Sequence, residues 1–374
     1  MTAAQTVTVA KLWLADFRQV EQLELELTSG LTVFVGDNAQ GKTTLLEAVA
    51  WIARARSFRG VPDHSLVRSG RHHAVVRADV RHDGREQLFE AEIRASGRNR
   101  VQLNRTPVQR TRDLHGLLRV SVFAPDDLQL VKGGPAHRRD YLDELLVALA
   151  LRYGAAQSDY ERVLKHRNAL LRAGVRDATD RATLEVFDDQ LVSAATELTR
   201  GRLRLLDRLV PAIAVAYREL AGATSVPEAE YRADWSEDPL DESMVDRLPE
   251  ELRRALEVAH RKELDRRVTL VGPHRDELHL RIARYDARTQ ASQGEQRTLA
   301  LALRLAGHRI VTELTGSTPV LLLDDVFSEL DGLRAAALVA SLPPGQTLLT
   351  TAGTVPESVH AERTLRVRAG GISE

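Results

Sequence analysis

A run of eight residues, Gly36, Asp37, Asn38, Ala39, Gln40, Gly41, Lys42 and Thr43, constrains this chain more than any other stretch. It spells the G-x-x-x-x-G-K-[ST] phosphate loop without a mismatch. The flanks agree with it. Leu31, Val33, Phe34 and Val35 form a short β-prone apolar run before it, and Leu45, Leu46, Ala48, Val49 and Ile52 follow at helical spacing. Strand, glycine loop and helix in that order bring backbone N–H groups and the positive end of a helix around a polyphosphate. In such a loop Lys42 reaches the outer phosphates and the Thr43 hydroxyl ligates Mg²⁺, with Thr44 as a further nucleotide contact. The chain reads as a nucleoside triphosphate binder that uses Mg²⁺.

A second site element lies far along the chain. Val320 to Leu323 is apolar throughout and ends in Asp324 and Asp325. A strand apolar on both faces belongs inside a parallel sheet, where ligands sit at the carboxyl ends of the strands. Such an acid pair can simply open a loop. Beside an intact phosphate loop it reads as the Walker B pair, with Asp324 on Mg²⁺ and Asp325 as the catalytic carboxylate that polarises the attacking water. Lys42 and Asp324 are 282 positions apart, far more than small GTPases or small-molecule kinases use. The segment between them must hold an insertion that splits one ATPase head, as in the ABC-type heads of SMC-like proteins.

The texture of the chain supports a split. Residues 1–134 are β-rich: Leu23, Leu25 and Leu27 alternate with Glu24 and Glu26, and Val75–Val80 and Leu88–Ile93 flank an Asp83-Gly84 turn. Val101–Leu103 continues that pattern. Residues 135–266 read as a compact helical lobe. Pro211, Gly222, Pro227, Pro239 and Pro249 interrupt its apolar pattern, so it is no long coiled coil. Residues 267–374 return to α/β texture. Strands are expected at Val268–Pro273, Leu278–Ile282, Pro319–Leu323, Gln346–Thr351 and Arg363–Val367, with a long helix around Leu299, Leu303, Ala306, Ile310 and Leu314.

That helix opens on Ser292, Gln293, Gly294, Glu295 and Gln296. Ser292-x-x-Glu295 is a capping box, common at helix starts. It also resembles the ABC signature, in which a hydroxyl, the Gly294 N–H and a helix terminus bind an anion. The two readings are compatible. Ser328 to Asp331 resembles the D-loop that follows Walker B. Together with Gly272-Pro-His-Arg-Asp276, Phe123-Ala-Pro-Asp-Asp-Leu128 and Pro135-Ala-His-Arg-Arg139, these segments resemble the RecF family, the bacterial recombination mediators among the SMC-like ABC ATPases. The resemblance runs from Lys11 to about Thr351. It implies an α/β, ABC/SMC-type P-loop head, a mixed sheet with helices plus an antiparallel β region, carrying an inserted compact all-helical lobe.

Two departures bear on the chemistry. Asp325 stands where most ABC ATPases have Glu, and Thr350 or Thr351 stands where the switch is usually His. Both suggest slow hydrolysis, because a carboxylate held too far from its water loses positioning. The Q-loop position is open between Gln129 and the Asp126-Asp127 pair.

The resemblance further implies an ATP-driven homodimer that clamps gapped DNA or duplex/single-strand junctions in recombinational repair, replication restart and SOS induction. It implies a weak DNA-stimulated ATPase and RecR, RecO and RecA as partners. Net charge is −1, so DNA must meet a local basic patch. The candidates are Arg54, Arg56, Arg59, Arg68, Arg71, Lys132, Arg138 and Arg139. Aromatic residues make up 4%, which disfavours a base-stacking single-strand platform. The absence of Cys excludes disulfides and thiolate chemistry, and no apolar run is long enough to cross a bilayer, so a cytoplasmic protein is expected, and the resemblance implies that it is nucleoid-associated. Two other readings use the same motifs: a nucleotide-gated scaffold with little need for hydrolysis, and an ABC transporter ATPase subunit.

Overall fold

The computed structural model describes residues 5–82, 84–109, 114, 116–222, 226–353 and 359–373. The chain divides into two compact units.

The first unit comprises residues 1–127, 216–222 and 301–374. It holds two six-stranded sheets. In one, the strands run in the order Gly371–Ser373, Arg363–Arg368, Leu31–Val35, Thr347–Thr351, Val320–Asp324 and Val120–Phe123. All pairings are parallel except that of the two C-terminal strands. The two strands that carry the motifs are therefore not neighbours; Thr347–Thr351 lies between them, with Leu349 opposite both Val33 and Leu323. The other sheet is antiparallel, in the order Val20–Glu26, Thr8–Phe17, His73–His82, Arg85–Arg94, Arg100–Leu103 and Thr106–Pro107. Its long hairpin meets at the Asp83-Gly84 position expected for the turn, of which Asp83 lies outside the described residues.

The helix Lys42–Arg54 is buried along almost its whole length, from Thr44 to Ala53. Its Leu45, Leu46, Val49, Trp51 and Ile52 share one core with Leu12, Leu14 and Val76 of the antiparallel sheet and Leu322 and Leu348 of the parallel sheet. An apolar all-round sequence needs such a position between two layers. A helix so held cannot drift, and that fixes the loop at its N-terminus. His308, 1% exposed, meets the Ser121 hydroxyl through Nδ1 at 2.9 Å, and burial lowers its pKa to about 4.

The second unit comprises residues 128–215 and 223–300. Residues 267–300, expected with the C-terminal part of the head, thus group with the lobe. Its helices are Pro135–Leu149, Leu151–Ala173, most of Ala178–Ala221, and Leu248–Arg266. Pro211 does not interrupt the pattern as expected; it lies inside the 44-residue helix. The lobe is not wholly helical either. Pro227–Arg232 is a strand, paired with Glu277–Ile282, which pairs with Tyr285–Asp286.

The segment expected as a strand at Val268–Pro273 is a loop. Side chains rather than a β-ladder satisfy its backbone: Thr269 N–H donates to Asn168 Oδ1, Leu270 N–H to Glu263 Oε1, and Arg202 donates to the Pro273 carbonyl. The Arg202 guanidinium is 2% exposed and bidentate to Asp143 at 2.8 and 2.9 Å. It also meets the Tyr231 hydroxyl, which donates to Asp276. Buried Arg167 likewise holds Glu263, Asp188 and Thr269. Gly272-Pro-His-Arg-Asp276 is therefore a junction of buried ion pairs, where burial raises the Asp276 pKa to about 6.

Candidate functional site

The parallel strand Leu31–Val35 delivers its chain to the loop 36–41, which turns directly into the helix Lys42–Arg54. Glycine is required at both ends of the loop. Gly41 has a left-handed φ of 107°, and a Cβ on Gly36 would come within 2.4 Å of the Val367 carbonyl oxygen. The turn between the last two strands braces the loop: Ala369 N–H donates to Gln40 Oε1 at 2.7 Å and Gly370 N–H to the Gln40 carbonyl at 2.9 Å. Thr44 Oγ1 donates to Gln19 Oε1 at 3.2 Å. Asp37, Asn38 and Ala39 are exposed, while Lys42 lies over the loop and donates to the carbonyls of Gly36 at 2.7 Å and Asp37 at 2.8 Å.

Asp324 ends the apolar strand Val320–Asp324 and is 6% exposed. Its Oδ1 accepts from Thr43 Oγ1 at 2.8 Å and from Thr350 Oγ1 at 2.7 Å. Burial pushes this carboxyl above the ordinary range and Asp325 adds to the push; the Thr350 and Thr43 hydroxyls and the Arg59 guanidinium oppose it. Asp325 is half-buried with a left-handed φ of 48°. Its N–H donates to Thr350 Oγ1 at 3.0 Å, and its Oδ1 accepts from Ala352 N–H at 3.3 Å. Thr350 therefore joins both acids. The hydroxyl and carboxylate of Thr43 and Asp324 are hard oxygen donors in contact, and a desolvated carboxylate is stabilised by a cation. The pair fits Mg²⁺.

Ser292 belongs to the second unit and is exposed. The capping box is complete: Ser292 N–H and Oγ donate to Glu295 Oε2 at 2.8 and 2.7 Å, and Glu295 N–H donates back to Ser292 Oγ at 3.3 Å. Gln293 is exposed and Gly294 half-buried. Gln296 is 4% exposed, and its amide donates to the Ala287 and Arg288 carbonyls, so it braces the preceding turn instead of facing a ligand. In the first unit, Ser328 donates to the Asp325 carbonyl at 2.8 Å, and Asp331 caps the helix Gly332–Ser341 by accepting from Arg334 N–H.

Several expected DNA contacts are engaged elsewhere. Arg138 is 5% exposed, bidentate to Glu277 at 2.7 Å and bonded to the Leu130 and Gly133 carbonyls; it is a buried structural cation. Arg139 is half-buried and donates to the Asp276 carbonyl, and Arg54 donates to that of Val120. Asp16 and Glu21 meet the charges of Arg68 and Arg71. Lys132 is half-buried. Arg56 and Arg59 are exposed. The charge of Arg59 acts on Asp324, which puts it at the acid pair, and its N–H donates to Ser57 Oγ at 3.1 Å. The Q-loop alternatives also part: Asp127 accepts from Ala124 N–H and Arg304 and is structural, whereas Gln129 is exposed.

Thr350, Gln19 and Gln40 were the residues whose local roles the motifs did not spell out. Thr350 had a signal, since the switch was expected at Thr350 or Thr351. Gln19 had none, because its contact depends on which strands lie beside the loop.

Residues 8–351 match the family described as RecF/RecN/SMC N terminal domain. The chain is 46% identical over 360 residues to the DNA replication and repair protein RecF of Frankia alni, spanning 94% of this chain and 95% of that protein. Against the protein of the same description from Streptomyces avermitilis it is 44% identical over 351 residues, 92% and 93% of the two chains. Among solved structures, that of the recombination mediator protein RecF-ATP in the RecFOR pathway superposes with a TM-score of 0.90 at 29% identity, over 100% of this chain and 98% of that one. The Smc head domain with an extended coiled coil from Pyrococcus furiosus shares the fold, with a TM-score of 0.57 at 15% identity over 98% and 95% of the chains.

Proposed function

Because the chain belongs to the RecF family of RecF/RecN/SMC-type proteins, we propose that it is an ATP-dependent DNA-binding recombination mediator whose two copies close on DNA when ATP joins them. The observation that carries this reading is the cluster of Thr43, Asp324 and Thr350 beside the phosphate loop, together with an exposed, capped Ser292 at a helix N-terminus. Lys42 and the loop N–H groups hold the triphosphate, and Thr43 and Asp324 hold Mg²⁺. Bound Mg²⁺ neutralises phosphate charge and orients the outer phosphate for displacement. Asp325 polarises the attacking water. Ser292, Gln293 and Gly294 cover the outer phosphate bound by the other copy, and Ser328 and Asp331 lie along the same junction. A triphosphate with Mg²⁺ remains anionic, so a hydroxyl and a helix N-terminus are suitable partners. Arg59, exposed and acting on Asp324, is the candidate cation for DNA at this site.

The expected partners are DNA at gaps or junctions, RecR and RecO, and the RecA recombinase, in the cytoplasm, during repair, replication restart and SOS induction. Hydrolysis is slow and DNA-stimulated. Analytical ultracentrifugation with ATP, ADP and no nucleotide tests the clamp. A dimer only with ATP, absent in Lys42→Met and in Ser292→Arg, is the expected result; a dimer without nucleotide, or a monomer under all conditions, refutes it. A scaffold that needs little hydrolysis is favoured by one observation, the tethering of the short Asp325 carboxylate to Ala352 N–H. Asp325→Asn separates the two: a clamp that needs turnover stays trapped on DNA, and a scaffold is unaffected.

A further inference from the structure

The second unit carries a cleft of about 430 Å³ that the nucleotide chemistry does not use. One wall is the exposed face of the helix Leu248–Arg266, and the other is formed by Trp235, Leu270, Val271 and Arg275. The helix buries Leu248, Leu252, Leu256 and Glu263, which leaves Arg254, Val258, Lys262 and Arg266 as a stripe at four-residue spacing on its outer side. Val258 is 78% exposed at the centre of that stripe, with Ala255 and Ala259 beside it in the cleft. Across from it stands Trp235, half-buried, whose indole N–H is buried without a hydrogen-bond partner among the described residues. Its ring face is available as an apolar wall of the cleft.

The charges around this apolar floor are not balanced. Arg254 pairs with Glu251 at 3.5 Å and Arg275 with Asp234 at 4.0 Å. Among the described residues Lys262 and Arg266 have no carboxylate partner; they are one helical turn apart at one end of the cleft. We propose that this cleft is a docking site for an acidic segment of a protein partner, which seats one bulky apolar side chain between Val258 and Trp235 and sets two carboxylates against Lys262 and Arg266. The volume suits a side chain or two, and a desolvated aromatic flanked by charge is the usual anatomy of an interface hot spot. A nucleic-acid backbone fits less well. Backbone tracking has no use for an apolar floor, and the two unpartnered cations form a spot rather than a track.

Fluorescence anisotropy of the full chain tests this with a set of labelled peptides, Glu-Glu-X-Phe-Glu-Asp with X as Leu, Ile, Phe or Trp, and with the same peptides carrying Lys for every acid. Saturable binding of at least one acidic peptide, weakened about tenfold or more by Val258→Asp and by Lys262→Glu, is expected, with no binding of its Lys counterpart. Both positions are exposed on the helix. Circular dichroism and the thermal midpoint of each variant verify its fold, and Arg266→Glu replaces either variant that fails. Failure of all four acidic peptides overturns the proposal. So does equal binding of the Lys peptides, insensitivity to every variant, or displacement of the peptide by a short DNA duplex, which would assign the cleft to nucleic acid. ATP-dependent dimerisation is measured separately, so loss of the clamp reading leaves this test intact.

Discussion

Thr350 gives the sharpest test of how the acid pair is held, because one hydroxyl serves both acids. It is fully buried, donates to Asp324 Oδ1 at 2.7 Å and accepts from Asp325 N–H at 3.0 Å. Thr350→Val keeps the shape and deletes both bonds. A hydrogen bond to a charged group contributes about 1.5–3 kcal/mol, and Thr43 remains as the other hydroxyl donor to Asp324. If the geometry it fixes is used in the transition state, single-turnover ATP hydrolysis should slow by roughly 10- to 150-fold. Nucleotide affinity should change little, because Lys42 and the loop are untouched. The proton linkage gives a second readout. Burial already raises the Asp324 pKa, and the Thr350 bond is the largest influence lowering it. Its loss raises the pKa of the metal-free carboxyl further, so the acidic limb of Mg²⁺ binding should move to higher pH, and the Mg²⁺ requirement of hydrolysis should rise. Thr350→Ser retains the hydroxyl and should restore both. A Thr350→Val protein with wild-type rate and an unmoved acidic limb would refute the reasoning, whatever its stability.

Three further outcomes follow from buried polar groups and surface charge. Asp143→Ala strands the Arg202 guanidinium in the second unit and should destabilise by about 3–5 kcal/mol, read as a lower urea midpoint; an unchanged midpoint would show that Tyr231 and the Pro273 carbonyl suffice. His308 has a pKa lowered by burial to about 4 from 6.5, so its contribution is complete above pH 6.5 and is lost as pH falls through 4. The shift corresponds to about 3 kcal/mol, and His308→Gln should flatten thermal stability across that window; a slope identical to wild type would count against it. For DNA, Arg59→Ala should weaken duplex binding and reduce its salt dependence, whereas Arg68→Ala, whose native charge already faces Asp16 and Glu21, should do far less; the reverse order in a salt titration would relocate the DNA face.

What the sequence made legible, and what it did not, divides along the range of the interactions. The strand, loop and helix at residues 31–54 could be located because the phosphate loop, its glycines and the two apolar periods are local rules that agree with one another. The Ser292–Glu295 box formed as read because a cap needs only its own four residues. The strand Pro227–Arg232 was missed because Pro227 and two glutamates hide it, and its partner lies fifty residues on at Glu277–Ile282. Val268–Pro273 erred in the opposite direction. It has β-prone composition, yet Asn168, Glu263 and Arg202 take the hydrogen bonds a ladder would have used, and no local pattern announces that. The arginines show the same limit. Arg138 and Arg59 look alike in sequence, but one is neutralised by Glu277 inside the lobe while the other stands exposed beside Asp324. A count of cations cannot separate them, because the difference is set by which carboxylates the fold brings near. The order of the parallel strands settles the site in the same way. Thr350 reaches both acids because its strand runs between the two motif strands, and that adjacency belongs to topology.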